Sequence, residues 1–401
     1  MDREYVMALC LKHLHVMGLN PFKTSMFSKV RAVFVALITF GMYSYNLVGV
    51  FYDYKGTRSL QNSMDALPGG QQTSVRLLYL LICGNKLKRL YEMVNETWPN
   101  DVLGSVLKKR FEFDSQRFKK FFIAYVTVVT TIAMIYMMAP TFCSYRRLVT
   151  EWYLPCDLEF DVCYISARIA ELVYMLLIFY QVLVFDGMFC AFLFCLFMEV
   201  EEIKHSFKHL NIGELNSRNE VNRKFCSILK HHGFVLEFLK RFNAVYSVQM
   251  LNHFLTLAAA LCFGMFLFSK DGYIFQIYSQ LLKNLFRFRF PPSSYQSARY
   301  GPYVIAYNIQ LYTCCYAGEL IYNQLLSISD AIYESMWYLN NESNASNGVR
   351  LAIQVSQIGN KITIGGLWPL NLGTYMSVFK TSVSLNALLQ SVYINNEKSI
   401  E

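Results

Sequence analysis

The chain has 401 residues, of which 54% are hydrophobic, 16% aromatic and only 16% charged. Soluble domains carry about 25% charged residues, so this balance excludes a disordered chain, a collagen-like repeat and a small disulfide scaffold. The net charge is +9 and the mean hydropathy +0.27, and the class that remains is a polytopic membrane protein.

The first residues carry a short apolar run at 5–11 behind Asp2 and Glu4, with no small-residue cleavage pattern. This predicts that the first span inserts without a cleaved leader. A crossing helix needs about 20 mostly apolar residues. Windows 32–52, 121–143 and 242–268 contain no Asp, Glu, Lys or Arg. Windows 172–198, 302–326 and 371–394 contain one charge each, Asp186, Glu319 and Lys380. A weaker window, 64–83, carries Asp65 and Arg76. It is required because the basic stretch 86–120 follows the first span and belongs in the cytosol. The expected fold is all-α, with seven transmembrane helices in a single membrane domain, 1–401.

Loop Lys and Arg set orientation. With the N-terminus cytosolic and the C-terminus extracellular, the inner segments hold more than twice as many Lys and Arg as the outer ones. This is the reverse of a G-protein-coupled receptor. The sequons at Asn95, Asn341 and Asn344 then lie inside and are expected to stay unmodified. The outer loop 269–301 is anomalous, because it holds half of the outer positives, around Leu285-Phe286-Arg287-Phe288-Arg289-Phe290-Pro291-Pro292. It reads as a membrane-surface or partner-binding insert, as a solvated loop, or as an unspliced stretch.

Two spans run on past the membrane. The apolar stripe from span six continues through Leu325, Ile328, Ile332, Met336 and Leu339, and residues 302–339 would make roughly 57 Å of helix. Span four continues into Glu199, Glu201, Glu202, Lys204 and Lys208. An apolar stripe outside the membrane needs a covering surface, which predicts a cytosolic helical anchor at approximately 199–241 and 325–370. Gly365, Gly366 and Pro369 break the chain before a last membrane helix at approximately 371–394.

No HExxH, Walker loop, GxSxG or GxGxxG is present, so neither an enzyme nor a cofactor is expected. His205 and His209, at i and i+4, could hold a metal but more often form solvated surface, and no metal is expected. Cys143, Cys156 and Cys163 fall on the oxidising side; one disulfide is allowed, with the pairing open. Arg76, Asp186, Glu319 and Lys380 are intramembrane charges, hence functional candidates unless internal salt bridges account for them. Lys380 could also face an ion pathway. On the last helix Ser377, Thr381, Ser384, Leu388 and Ser391 share one stripe. That stripe reads equally as a pore wall with an apolar ring or as small-residue packing in lipid. The outer halves of spans three, four and six present Met134, Tyr136 and Met138, then Tyr174, Met175 and Ile178, then Tyr303, Tyr307 and Gln310. Aromatic and Met side chains suit an apolar ligand, and equally an ordinary core.

The most specific pattern lies at the C-terminal end. Thr313-Cys314-Cys315-Tyr316-Ala317-Gly318-Glu319-Leu320-Ile321 is followed by Ile362-Thr363-Ile364-Gly365-Gly366, by Thr374-Tyr375, and by Phe379-Lys380-Thr381-Ser382-Val383-Ser384 before Leu388-Leu389. This order resembles the C-terminal signature of insect odorant receptors. The resemblance implies a non-selective cation channel gated by small volatile odorants, with four subunits around one pore lined by the membrane half of helix seven. It places Leu388 with Gln390 or Ser391 at or near the gate, and Met134, Met138, Tyr174, Ile178, Tyr303 and Tyr307 in the ligand pocket. The short segment 199–241 resembles a tuning subunit that needs the coreceptor in a heterotetramer. The implied setting is the plasma membrane of olfactory sensory neurons, with lipid bilayer and permeant cations as partners and no nucleic acid. A G-protein-coupled receptor is disfavoured by the charge pattern and by the lack of Asn-Pro-x-x-Tyr in span seven. A gustatory-type relative is disfavoured because no Gln-Phe follows Thr374-Tyr375 at the matching place. A transporter would carry internal repeats or paired broken helices.

Overall fold

The structure is a computed structural model, and it describes residues 3–23, 25–56, 66–96, 105–142, 146, 148–150, 156–210, 218–270, 292–335, 337, 343–358 and 361–398. The described chain is almost wholly helical: α1 (Arg3–Val16), α2 (Met26–Gly56), α3 (Ala66–Asn95), α4 (Ser105–Met138), α5 (Asp161–Lys208), α6 (Arg218–Lys270), α7 (Pro292–Glu334), α8 (Ser343–Gln357) and α9 (Leu372–Lys398). The seven membrane helices are α2–α7 and α9. Residues 285–291 of the basic outer loop, Cys143 and Asn341 lie outside the described residues.

Among the described residues, four helices are long and apolar enough to cross a membrane by composition alone, within α2, α4, α5 and α6. Their apolar faces point outward, with Val33, Phe34 and Leu37 on α2, Ile123 and Ile135 on α4, and Ile165, Ile169 and Val173 on α5 all exposed. Lipid is as apolar as these side chains, so the outward faces need no cover. The less apolar α3 is instead packed inward, burying Gln72, Thr73, Ser74 and Arg76. The weak hydropathy of the second span therefore reports an interior helix.

At 48 and 53 residues, α5 and α6 reach roughly 70 and 80 Å, more than twice the hydrocarbon thickness. Their extensions are covered as the stripe requires. One core runs from Leu14 and Met17 near α1, through Leu87 and Tyr91 of α3, Phe189 and Phe192 of α5 and Phe242 and Tyr246 of α6, to Ile328 of α7 and Val349 of α8. Aromatic rings knit it together, with Tyr91 at 4.8 Å from Phe192 and Phe242 at 4.5 Å from Tyr246.

The break before the last helix is a small hairpin, β1 (Thr363–Ile364) and β2 (Trp368–Pro369), paired antiparallel. Gly365 and Gly366 have φ of 62° and 72°, the left-handed turn that glycine adopts without strain. Ser247 of α6 holds this turn, its carbonyl accepting from Gly365 N–H at 2.9 Å and its hydroxyl from Gly366 N–H at 2.8 Å. The chain then passes so close to α7 that a Cβ on Gly318 would lie 2.3 Å from Leu370 O. Beside it Glu319 accepts the Leu372 N–H at 3.3 Å, and Asn371 accepts that of Thr374 at 2.8 Å. Two of the unpaired amides at the start of α9 are thereby capped. Glu319 is thus a cap, and Lys380 stands on the exposed side of α9.

The other two intramembrane charges pair with each other. Arg76 Nη1 of α3 lies 2.9 Å from Asp186 Oδ1 of α5, both buried. Asp186 Oδ2 accepts from Tyr125 of α4 at 3.1 Å and from Gln310 Nε2 of α7 at 2.6 Å. One carboxylate thus joins four membrane helices. Toward the opposite end from α1 and α8, Cys156 and Cys163 form a disulfide. There Arg168 and Glu171, both buried, pair with each other, and Arg168 also donates to Met137 O.

A buried charge stripped of its partner is strongly destabilising, by about 3–5 kcal/mol. Asp186→Ala should therefore lower the unfolding temperature of the detergent-solubilised protein sharply. The double variant Arg76→Met/Asp186→Leu should recover much of the loss. An unchanged melting curve for Asp186→Ala would contradict the buried pair.

Candidate functional site

A cavity of about 100 Å³ lies among α3, α4, α5 and α7. Its walls follow helical periodicity, one face from each helix. α3 contributes Gly69 and Gln72. α4 contributes Tyr125, Val129, Ile132, Ala133 and Tyr136. α5 contributes Met175, Ile178, Phe179 and Val182, and α7 contributes Tyr303, Ala306, Tyr307 and Gln310. The wall is apolar apart from the two glutamines and the tyrosine hydroxyls. Tyr125 and Gln310 belong to the Asp186 cluster, so that cluster borders the cavity directly.

The space exists partly because Gly69 has no side chain. A Cβ there would sit 3.2 Å from Tyr307 Oη and 3.9 Å from Ile178 Cγ2. The rings of Tyr303 and Tyr307 pack at 4.6 Å. Toward the disulfide end, Val149 is fully buried with Tyr136, Met137, Met175 and Tyr303, and closes the site from the loop. Its neighbour Thr150 donates both N–H and Oγ–H to Glu171 Oε1, at 2.6 and 2.9 Å, which fastens the loop down onto α5.

Three of the six residues expected in a pocket line this cavity, Ile178, Tyr303 and Tyr307. Tyr174 is buried but lies one turn from Ile178 on the side facing Met42 and Tyr45 of α2, with its Oη 2.7 Å from where a Gly70 Cβ would stand. Met134 and Met138 fall outside the lining and are exposed, at 47% and 42%. The cavity face of α4 runs through 129, 132, 133 and 136, and positions 134 and 138 turn about 100–200° away from it. Side-chain type suggested the two methionines, while helical phase turns them away from this cavity. Gln72 and Gly69 were not anticipated. The spacing of Gln72 and Arg76, at i and i+4 within an apolar window, marks the inward face that could have found them.

On α9 the residues expected to line a pore stand together. Ser377, Thr381, Ser384, Leu388 and Ser391 are exposed, Leu388 at 58%, and Gln390 is half-buried. The opposite face packs on α6 and α7, where Ser382 is fully buried and donates to Ala258 O at 3.3 Å and Tyr375 donates to Asn308 Oδ1 at 3.0 Å. The exposed hydroxyls of Ser377, Thr381 and Ser391 donate to carbonyls of their own helix at 2.8–3.0 Å, which satisfies them without a neighbour.

His205 and His209 stack their rings at 3.9 Å. Among the described residues, the group whose ligand atoms come within 4.8 Å of one another is Glu199, Glu202 and His231, all buried. His231 Nε2 of α6 lies 2.8 Å from Glu199 Oε2 of α5.

The family model for the 7tm odorant receptor matches residues 72–282 and 274–383. In Drosophila melanogaster, odorant receptor 67c is 25% identical over 182 residues, covering 45% of this chain and 40% of the relative. Odorant receptor 82a of the same species is 21% identical over 240 residues, covering 59% of this chain and 55% of the relative. The chain thus matches about half the length of these curated relatives or less. Among solved structures, the insect olfactory receptor OR5 from Machilis hrabei in complex with eugenol has the same fold, with a TM-score of 0.79 at 16% identity, over 97% of this chain and 98% of that one. A second structure of the same receptor gives a TM-score of 0.78. The chain belongs to the 7tm odorant receptor family.

Proposed function

We propose that this chain is the odorant-binding subunit of a heteromeric, ligand-gated, non-selective cation channel. The observation that carries the reading is the apolar cavity among α3, α4, α5 and α7, lined by Ile178, Tyr303 and Tyr307. An apolar cavity of about 150 Å³ holds benzene; at about 100 Å³ this one takes a compact volatile of about one ring only as the wall side chains give way. The similar OR5 structure was solved with eugenol, a ligand of that kind.

The exposed stripe of α9 supports the pore reading. A face of small hydroxyl side chains broken by one Leu offers water-compatible walls and an apolar constriction. In the assembled channel Ser377, Thr381 and Ser384 line the pathway, and Leu388, Gln390 and Ser391 form its outer, gating part. The helical extensions at 199–241 and 325–370 form the anchor through which this chain meets the coreceptor. The N-terminus is cytosolic, because the end bearing α1 collects most of the Lys and Arg, and the Cys156–Cys163 disulfide lies on the oxidising side. The same charge pattern runs against a G-protein-coupled receptor. The setting is the plasma membrane of an olfactory sensory neuron.

Co-expression with the coreceptor should give odorant-evoked cation currents that persist when G-protein signalling is blocked; currents abolished by the block would contradict the channel reading. Leu388→Ser should change leak or ion selectivity, and an identical current–voltage relation would return Leu388 to packing. Tyr307→Ala should shift the odorant dose–response about tenfold at equal surface expression, the scale of burying one aromatic contact; an unmoved curve would remove Tyr307 from the site. Orientation has its own readout. Burial pushes the Cys10 thiol up to about 12, which keeps it unreactive, whereas Cys226 on α6 is exposed. A membrane-impermeant maleimide should therefore gain a Cys226-dependent signal, lost in Cys226→Ser, only after cells are permeabilised. The same signal on intact cells would invert the topology.

A further inference from the structure

The cavity's polar groups are not equally available. Tyr125 and Gln310 already donate to Asp186 Oδ2, at 3.1 and 2.6 Å. Tyr303 and Tyr307 pack ring against ring at 4.6 Å and have further contacts of their own. Gln72 differs: it lines the cavity, it is 1% exposed, and its Nε2 is buried with no hydrogen-bond partner among the described residues. It stands one helical turn before Arg76, on the inward face of α3, so packing and the ion pair below it fix where it points. A buried donor left unpaired destabilises whatever surrounds it, and a ligand that pairs it removes that penalty.

We propose that Gln72 is the specificity-determining residue of the cavity, and that the ligands taken there are compact apolar volatiles bearing one hydrogen-bond-accepting oxygen, such as a carbonyl, ester or ether. The oxygen accepts from Gln72 Nε2, and the hydrocarbon part packs against Val129, Ile178, Phe179 and Tyr307. A pure hydrocarbon of the same shape leaves the amide unpaired and binds more weakly. The Asp186 cluster sharpens this choice, since by occupying Gln310 and Tyr125 it leaves the Gln72 amide as the uncommitted donor on the α3 wall.

The inference rests on the receptor reading above, and its test separates the two. The chain is co-expressed with the coreceptor and challenged with ketone and hydrocarbon pairs of equal heavy-atom count, acetophenone with isopropylbenzene and 2-heptanone with 2-methylheptane, over full dose ranges. The ketone of at least one pair should be about tenfold more potent than its hydrocarbon, the usual worth of one buried hydrogen bond. Gln72→Leu should close that gap by weakening the ketone and leaving the hydrocarbon unchanged or stronger, at equal surface expression. Gln72→Met serves if the Leu variant fails to reach the surface, and the wild-type ratio needs no variant. Equal potency within every responding pair, or a Gln72→Leu shift shared by both members, would overturn the proposal while leaving the cavity as the site. Silence to every compound alongside a functional coreceptor would overturn the receptor reading itself.

Discussion

A carboxylate in the middle of a membrane bundle constrains everything near it. Asp186 is buried, and a lone charge there would be expelled or neutralised. It is held instead by Arg76 at 2.9 Å, Tyr125 at 3.1 Å and Gln310 at 2.6 Å. These partners come from three other helices, so α3, α4, α5 and α7 cannot slide or rotate independently without unpairing a charge. Such pairing is weak as a source of net stability but strong as a device for fixing register. Here the helices it fixes are those that wall the cavity, and two of its members are cavity residues.

This constraint divides the molecule. On one side the helices extend far beyond bilayer thickness and close over a continuous apolar core that takes in α1 and α8. On the other side a smaller cluster with Tyr136, Val149, Met175 and Tyr303 surrounds open space instead of filling it. The last helix is governed separately. Its start is fixed by Gly318, which admits the chain against α7, and by Glu319, which caps it. Its inner face is spent on α6 and α7, and its hydroxyl stripe stays uncovered within one chain. The chain thus has an enclosed cavity inside it and an uncovered hydroxyl stripe on its edge, joined by α7, which carries Tyr303 and Tyr307 toward one end and Gly318 and Glu319 further along.

Much of this was legible in residues. The charge-free windows and the basic inner loops gave the spans, and the apolar stripe through Leu325, Ile328 and Ile332 required a covered extension that α8 supplies. The Gly365-Gly366 break announced a turn, although its attachment to α6 rests on Ser247 and on Asn243, whose Oδ1 accepts the Thr363 N–H at 3.0 Å, both too distant in sequence to be linked by pattern. The hydroxyl stripe of α9 could be phased because every member lies on one helix. The cavity was harder. Of its lining, Tyr303, Tyr307 and Ile178 were reachable from residue type, but that Met134 and Met138 face away from it needed the phase of α4. Gln72 sat in the window with the weakest membrane signal. Its polarity reads as doubt about the span, whereas it reflects the inward face on which Arg76, one turn on, pairs with Asp186 110 residues further along the chain.

The central claim is that an odorant is held in the cavity bordered by the Asp186 cluster, within one subunit. The most direct measurement is an experimental structure of the chain with its coreceptor in lipid, determined with a bound agonist. The account predicts ligand density enclosed by Ile178, Tyr303 and Tyr307, with the Arg76–Asp186 pair intact beside it. Agonist density between subunits, or against the α1 and α8 end with this cavity empty, would contradict it.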